Sequence, residues 1–406
     1  ALVGRLKDSE RILKRALALD SKSPEVNYNL GRVYDDMKKF NEAIKYYSHA
    51  IRYRPNFAEA YINLGDVNME IGNFDNAIKN YNYALEINPN LIDAYINRGV
   101  VLHTIRKFDQ AISSFNQALA IDEKSAGAHF NKALTLIALG NNDLAWEEYE
   151  WRWRYEKFTS PIREFSKPLW KGNESLYEKT ILVHSEQGLG DTIQFCRYLR
   201  ILSERKCYIY VEVEESLVRL IQGINTGISV IVKGDPLPTF DYHCPMMSLP
   251  LALKVHAQSP PFINKYLSIG ENEVNKWANL FKGLGTPRIG IVWRGSGSHK
   301  NDLNRSIPLI DLINYLPKGP QYISLQKDLL DSEIPLLKKN FILSNCFDGV
   351  FDFQDTAGML SQLDLIIGVD TSTIHLSGAL GKKTWLLLSY IQDWSCLLYT
   401  SPSPRD

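Results

Sequence analysis

Small and aromatic residues recur along the first part of the chain at a fixed spacing of 34 positions. Three columns of small residues share this period: Gly31, Gly65 and Gly99, then Ala43, Ala77 and Ala111, then Ala50, Ala84 and Ala118. A column of large rings follows at Tyr47, Tyr81 and Phe115, and Pro55 and Pro89 end two of the units. The pattern predicts stacked helix pairs, in which small residues allow close crossing and a ring fills the gap.

This 34-residue unit resembles the tetratricopeptide repeat, which folds as two antiparallel helices. The resemblance predicts an α-solenoid over residues 1–155 with three full repeats. A decayed last unit has Ala133 in place of the glycine and keeps Ala145 and Tyr149 in register. Residues 5–22 have the pattern of a second helix without its first, so we expect an array that is cut at its front.

An asparagine column lies on the first helix of each repeat, at Asn29, Asn63, Asn97 and Asn131. An acidic column, Glu25, Glu59 and Asp93, precedes it by four residues, about one helical turn on the same face. The column resembles the asparagine ladder of the O-linked N-acetylglucosamine transferases, which implies that it binds an extended acceptor. The alternative is that each amide caps a helix or bridges neighbouring repeats, since an amide can both donate and accept.

From about Phe165 the period disappears, and short β-branched runs alternate with helical stretches. Seven strands are predicted, at Thr180–His184, Tyr208–Val213, Ile228–Val232, Arg288–Trp293, Tyr322–Leu325, Leu365–Val369 and Lys383–Leu388. A helix is expected over Thr192–Leu202. This alternation is typical of α/β folds. It predicts twin Rossmann-like lobes, at 165–282 and 287–394, with a ligand in the cleft between them.

Four sequence motifs carry a second resemblance. They are EQGLGDTIQF at 186–195, GIVWRG at 290–295 followed by NDLNRSIP at 301–308, SLQ at 324–326, and GVDTSTIHLSGALGK at 368–382. Together they resemble the bacterial tetratricopeptide-repeat glycosyltransferases related to the ADP-heptose heptosyltransferases, which have the GT-B fold. The resemblance implies transfer of a sugar from a nucleotide-diphosphate donor to an acceptor hydroxyl, with no cofactor and no obligatory metal. The GLGD stretch is too short for a GxGxxG dinucleotide fingerprint, so no NAD site is inferred.

Such a transfer requires a base for the acceptor proton. Asp191 follows the turn formed by Gly188 and Gly190, where the heptosyltransferases carry their proposed catalytic aspartate. Asp191 is therefore the candidate base, although aspartate at a helix start can equally be a cap. His184 and Glu186 are the next candidates. His375 lies one turn into a helix and either reaches the donor sugar or is only packed.

The departing diphosphate requires positive character. The residues Asp370, Thr371, Ser372 and Thr373 begin the helix that follows a predicted strand, and free N–H groups at a helix start attract phosphate. Arg294, Lys300 and Arg305 are the candidate cations, with Arg305 favoured by the heptosyltransferase resemblance; the alternative is that they are solvated loop charges. Gln326, at a strand end, is expected to face the nucleoside; the alternative is a purely structural role. The glycines Gly188 and Gly190 are included in the predicted donor site.

Composition narrows the class of protein. The 46 basic and 46 acidic residues give a formal net charge of zero, which argues against a nucleic-acid-binding protein. No apolar run approaches the roughly 20 residues of a membrane span. Five cysteines without a CxxC pair predict neither a zinc site nor a disulfide framework, so a reducing, cytoplasmic setting is expected.

Two other interpretations remain open at this stage. One is a non-enzymatic repeat scaffold with a decayed transferase domain, and the other is a protein O-glycosyltransferase. Trp151, Trp153 and Trp170 are expected to pack at the joint between the repeats and the first lobe, whereas Trp394 lies near the expected cleft. Residues 395–406 contain two prolines that cannot continue a helix, so we expect a fragment with an aberrant or disordered tail.

Overall fold

The computed structural model describes residues 2–140, 142–224, 227–255, 265–295, 305–342 and 350–388. The chain divides into two compact units, Ala1–Phe158 and Thr159–Asp406, hereafter the repeat unit and the α/β unit. The first boundary lies close to the predicted end of the repeats at residue 155. Lys300, Trp394, the first four residues of the NDLNRSIP motif and the tail at 395–406 lie outside the described residues.

The repeat unit consists of consecutive helices. They are α1 (Leu2–Leu19), α2 (Pro24–Asp36), α3 (Phe40–Tyr53), α4 (Ala58–Glu70), α5 (Phe74–Ile87), α6 (Ile92–Thr104), α7 (Phe108–Ile121), α8 (Ala126–Ala138) and α9 (Asn142–Tyr149). A short 3-10 helix, Glu150–Arg154, follows. The helices pair as α2 with α3, α4 with α5, α6 with α7, and α8 with α9. The predicted solenoid of helix pairs is therefore confirmed, including the decayed last unit.

The predicted contact between small residues and rings is present in the three full repeats. A Cβ atom on Gly31 would lie 2.5 Å from the ring of Tyr47, and one on Gly65 would lie 2.6 Å from Tyr81. Gly99 faces Phe115 in the same way. Since real Cβ atoms do not approach so closely, only glycine lets each first helix lie against the buried ring of the second.

The tryptophans expected at a domain joint all have partners inside their own unit. The Trp151 ring stacks on His129 with centroids 4.0 Å apart, and Trp153 meets Phe158 edge to face. In the α/β unit Trp170 is buried and its Nε1 donates to the Glu174 carbonyl at 3.1 Å. Local packing therefore accounts for the placement of all three.

The first sheet of the α/β unit contains four parallel strands in the order β3-β2-β1-β4. They are β1 (Thr180–His184), β2 (Tyr208–Val213), β3 (Ile228–Val232) and β4 (Tyr242–Pro245), with helices α10 (Leu189–Phe195), α11 (Arg197–Ser203), α12 (Val218–Gln222) and α13 (Leu249–Ala252). Three of the strands were predicted, whereas β4 was missed because it is short and ends in proline. The helix predicted over Thr192–Leu202 is divided at Cys196 into α10 and α11.

The second sheet is also parallel, in the order β6-β5-β7-β8. Its elements are β5 (Arg288–Val292), α15 (Leu309–Asn314), β6 (Gln321–Ser324), α16 (Ile334–Asn340), α17 (Phe353–Ser361), β7 (Leu365–Val369), α18 (Ser372–Ala379) and β8 (Thr384–Leu387). The ends of these four strands each lie within one residue of the predicted ends. Trp293, fully buried, lies in the core beside Ile291, Leu309 and Phe341.

One helix contacts the second sheet's helices although it falls inside the range predicted for the first lobe. Helix α14 (Glu271–Ala278) packs on α17, where a Cβ on Gly358 would lie 2.6 Å from Trp277. The preceding segment follows the same side, since the N–H groups of Tyr266 and Leu267 both donate to the Ala379 carbonyl. Trp277 of α14 is therefore buried against α17, so the chain already contacts the second sheet's helices before residue 282, where the first lobe was predicted to end.

Candidate functional site

Each sheet has a point at which the chain reverses its direction of strand addition. In the first sheet this point lies between β1 and β4, and in the second it lies between β5 and β7. Ligands of open parallel sheets bind outside the carboxyl ends of the strands at such switch points. The turns that follow β1, β5 and β7 are therefore the first places to look for a site.

A cleft of about 230 Å³, partly open to solvent, lies at these turns. It is lined by Leu189, Ser216, Val292, Arg294, Gly295, Leu325, Gln326, Lys327, Asp328, Val350, Phe351, Asp352, Phe353, Thr356, Thr371, Ser372 and Thr373. Both sheets contribute, because Leu189 and Ser216 follow strands of the first sheet and the rest lie at the end of a strand of the second sheet or after one.

The start of α18 forms one wall of the cleft. Thr371 is the residue before the helix, and its side chain does not cap it. The N–H groups of Ile374 and His375 donate to the Thr371 carbonyl, at 3.0 and 3.1 Å. Because the first N–H groups of any helix have no partner within it, the amides of Ser372 and Thr373 are available to an anion. The predicted residues Thr371, Ser372 and Thr373 are thus brought together in the cleft.

Arg305 lies beside this helix start. Its Nη1 donates to the Asp370 carbonyl at 3.1 Å, and its guanidinium lies against Gly295, where any Cβ would collide with it. The Gly295 N–H in turn donates to the Ser306 hydroxyl at 3.3 Å. The glycine after β5 therefore allows a cation to approach the start of α18 closely.

Arg294 and Gln326 are held by neighbouring groups. Arg294 Nη2 donates to Glu333 Oε2 at 3.1 Å and to the Asp328 carbonyl. The Gln326 Oε1 accepts the backbone N–H groups of Trp293 and Arg294, at 3.3 and 3.0 Å. Since the oxygen of Gln326 is used within the protein, its amide nitrogen is the group that can meet a ligand in the cleft.

Asp191 lies in the first turn of α10, not at the position before it. Its Oδ2 accepts the Gly188 N–H at 3.1 Å, which is one half of a capping box, and Gly188 is the capping residue. A capping contact is therefore present. The prediction that Asp191 is a base stays a prediction. From this turn it is Leu189 that lines the cleft.

His375 is buried between α10 and α18, at 5% exposure. A Cβ on Gly190 would lie 2.8 Å from His375 Cδ2, so the glycine allows the two helices to pack closely. His375 Nε2 lies 2.9 Å from Asp370 Oδ1. The geometry accounts for Gly190, His375 and the Asp370 side chain as a packed contact between the two sheets' helices; roles in the reaction stay predictions.

The other candidate bases have structural surroundings. His184 is buried beneath Phe165, with ring centroids 5.2 Å apart. Glu186 is half-buried, and its Oε1 accepts the Met247 N–H at 3.0 Å. Both lie near the β1 switch point, and neither is among the residues that line the cleft.

Three of the four asparagines in the column donate to protein groups. Asn63 Nδ2 donates to the Tyr28 hydroxyl at 3.1 Å, and Asn97 Nδ2 donates to Asp66 Oδ1 at 2.9 Å, so both bridge neighbouring repeats. Asn131 Nδ2 donates to the Gly127 carbonyl of its own helix, and Asn29 is exposed. The bridging alternative is thus present for Asn63 and Asn97, while acceptor binding stays a prediction that rests on their carbonyl oxygens.

Sequence reasoning missed one wall of the cleft, formed by residues 350–353. Phe351 is 84% exposed there. The Asp352 carboxylate accepts the Asp355 N–H at 3.0 Å and begins α17. The FDF sequence before an apolar helix was a usable signal, because aspartate is a favoured cap and an aromatic beside it has no core to join.

Comparison with known proteins identifies the repeats. Models described as "TPR repeat" match residues 31–72 and 65–105, and one described as "Tetratricopeptide repeat" matches 92–125. Residues 31–125 therefore carry tetratricopeptide repeats, a module that supports protein–protein recognition. The α/β unit has parallel sheets and is an α/β domain. No described helix combines the length and the apolar character needed to cross a membrane.

A curated relative is Protein FlbA of Caulobacter vibrioides, which is 24% identical over 277 residues, covering 62% of this chain and 46% of FlbA. The chain thus spans about half the length of that relative. Among solved structures, MamA is 26% identical and covers 37% of this chain and 88% of its own, with a TM-score of 0.35. YrrB, described as a TPR protein with an unusual peptide-binding site, is 26% identical over 37% of this chain and 77% of its own, with a TM-score of 0.33. Likeness at these TM-scores carries no functional conclusion.

Proposed function

We propose that the α/β unit is a glycosyltransferase of the GT-B type, which transfers a sugar from a nucleotide-diphosphate donor to an acceptor hydroxyl. The observation that carries the proposal is the cleft at the switch points of two parallel sheets, lined by an uncapped helix start and by Arg294, with Arg305 beside that helix start. The order of the sequence motifs, which resemble those of the heptosyltransferase relatives, supports the same reaction. The donor is a substrate, so the proposal requires no resident cofactor.

The residues that line the cleft suit both parts of such a donor. The groups suited to phosphate are the amides of Ser372 and Thr373 and the side chain of Arg294, with Arg305 beside the same helix start. These groups place positive character where the departing diphosphate gains negative charge. Phe351, Phe353 and the amide of Gln326 also line the cleft, and they suit the flat, polar-edged base of a nucleoside.

Asp191 is the general base in this proposal. The capping contact with Gly188 fixes its carboxylate near the β1 switch point. A positioned base typically contributes about 100-fold or more to the rate. Asp191→Asn is therefore expected to lower transfer by about 100-fold while nucleotide affinity persists.

The repeats recruit the acceptor, either a protein or a glycan, in this proposal. Their surface carries the exposed acidic residues Glu25, Glu59 and Asp93 beside the asparagine column. Amide oxygens of Asn63 and Asn97 remain able to accept from an acceptor after their nitrogens have bridged the repeats. A protein acceptor would make the enzyme a protein O-glycosyltransferase.

The test is a thermal-shift series with the nucleoside diphosphates, followed by isothermal titration of the one that raises Tm. A ligand at 100 times its Kd stabilises the folded state by about 2.7 kcal/mol. Ser372→Asp sharpens the test, because a carboxylate at a helix start favours the helix but repels phosphate. We expect at least tenfold weaker diphosphate binding in that variant with Tm unchanged or higher. The matched control is Ser332→Asp, which adds the same charge at an exposed position of the same unit.

Three results would contradict the proposal. If Ser372→Asp and Ser332→Asp bind the diphosphate equally tightly, the phosphate does not bind at the start of α18. Normal transfer by a destabilised Asp191→Asn variant would show that Asp191 is only a capping residue. Absence of binding by every nucleoside diphosphate, with a protein partner still bound by the repeats, would favour the non-enzymatic scaffold.

A further inference from the structure

Glu333 is a nearly buried carboxylate, 7% exposed, on the segment between β6 and α16. It accepts three hydrogen bonds. Oε1 accepts the indole Nε1 of Trp293 at 2.9 Å, and Oε2 accepts the Leu330 N–H at 2.9 Å and Arg294 Nη2 at 3.1 Å. Buried carboxylates persist where such bonds and a paired cation offset the cost of leaving water.

The two residues that Glu333 holds follow β5 directly, at the switch point of the second sheet. Gln326 holds the same turn from the backbone side, through the N–H groups of Trp293 and Arg294. Two side chains from beyond β6 therefore fix both the backbone and the side chains of this turn.

These contacts restrict the side chain of Arg294. Its Nη2 is occupied by Glu333 and the Asp328 carbonyl, while no hydrogen bond among the described residues occupies Nη1. Arg294 lines the cleft together with Ser372 and Thr373. The Nη2 of Arg294 is thus held by the protein, whereas its Nη1 has no hydrogen bond among the described residues and belongs to a side chain that lines the cleft.

We infer that Glu333 is a positioning residue, which orients Arg294 so that its free nitrogen meets a phosphate in the cleft. The inference rests on the proposed function, since it takes the ligand to be a diphosphate. Preorganised donors bind a ligand more tightly because no ordering is left to be done at the moment of binding. Charge-assisted bonds from arginine to phosphate are among the stronger hydrogen bonds of proteins.

The experiment uses the full chain and inorganic pyrophosphate, which reports on the phosphate end of the cleft whichever base the donor carries. In Glu333→Gln, Oε1 can still accept from Trp293, but the new amide faces the donors of Leu330 and Arg294. We expect about tenfold or more loss of pyrophosphate affinity for this variant and for Arg294→Ala, by isothermal titration. The double variant is expected to bind no more weakly than either single variant, because both remove the same contact.

The matched control is Glu212→Gln. Glu212 is also a buried glutamate paired with an arginine, Arg163, but it lies in the first sheet away from the cleft residues. It is expected to lower Tm and leave pyrophosphate affinity unchanged. If Glu333→Gln lowers Tm by more than the control does, Glu333→Asp is titrated instead, since it keeps the buried charge but shortens the reach to Arg294.

The outcomes separate the two proposals. If the Glu333→Gln variant binds pyrophosphate as tightly as the wild-type protein does, the role of Glu333 is overturned and the transferase proposal still stands. The same holds if the two single variants lose affinity independently, so that the double variant loses the sum of both. Wild-type protein without pyrophosphate binding would overturn both.

Discussion

The repeat unit and the α/β unit both contain glycines that let two helices touch, but the partners come from different distances along the chain. In the repeat unit Gly65 meets Tyr81 on the very next helix. In the α/β unit Gly190 of α10, which belongs to the first sheet's elements, meets His375 of α18, which follows β7 of the second sheet. The first contact follows from a short turn, whereas the second requires the whole unit to be folded.

This difference determines what a pattern can reveal. A contact between consecutive helices recurs in every repeat, so the residues that make it recur in the sequence at a fixed spacing. A contact between elements far apart occurs once and has no period. The cleft belongs to the second kind, because its walls follow strands of two separate sheets.

The largest effect is expected from filling the glycine position of a repeat. Gly65→Leu would force Tyr81, which is fully buried, out of its place and is expected to destabilise the repeat unit by about 3 kcal/mol. Chemical denaturation followed by circular dichroism measures the loss. Glu59→Leu is the control, because it adds the same side chain at an exposed position of α4. Equal stability of the two variants would show that the close contact is not required.

A smaller effect is expected from the equivalent change between distant elements. Gly190→Ala would place a Cβ 2.8 Å from His375 Cδ2 and is expected to cost about 2 kcal/mol. His375→Ala opens the space, so the double variant should recover at least about 1 kcal/mol of that loss. Independent, additive costs would contradict the contact and separate Gly190 from His375.

The smallest effects, a few degrees in Tm, are expected from two aspartates that respond to pH in opposite directions. Burial raises the pKa of Asp66 in the repeat unit, although bonds from Tyr81 and Asn97 partly oppose it. For Asp355 in the α/β unit, burial also acts to raise the pKa, but the Lys276 and Phe351 bonds and the nearby Arg219 lower it overall. A raised pKa costs stability as pH rises through it, and a lowered pKa costs stability as pH falls through it.

Asp66→Asn is therefore expected to raise Tm at pH 7, since the oxygen of the new amide can keep both hydrogen bonds without the buried charge. Asp355→Asn is expected to lower Tm at pH 7. The Asp66 difference should shrink as the pH falls through its raised pKa to the ordinary aspartate pKa of about 3.9, whereas the Asp355 difference should shrink only as the pH falls below that ordinary value. Melting curves of the two variants and the wild-type protein from pH 3 to pH 7 check the signs. Shifts of the same sign at pH 7 would contradict the assigned surroundings.

The sequence by itself determined the repeat unit almost to its side chains. The 34-residue columns predicted the helix pairs, the contact of Gly31 with Tyr47, and the decayed last unit. Most strands of the α/β unit were also predicted, because a buried parallel strand is a short β-branched run whatever its neighbours are. The strand β4 was not predicted, since Tyr242–Pro245 is too short to show a pattern.

Only the tertiary structure decided which candidate residues share a site. Thr371, Ser372, Thr373, Gln326 and Arg294 meet at the cleft because the strand order brings the carboxyl ends of β5, β6 and β7 together. His375 does not line the cleft, because the tertiary fold packs α10 over it. Residue types and local spacing cannot specify such neighbours, because parallel strands join through long crossovers and their order is fixed by packing of the complete sheet.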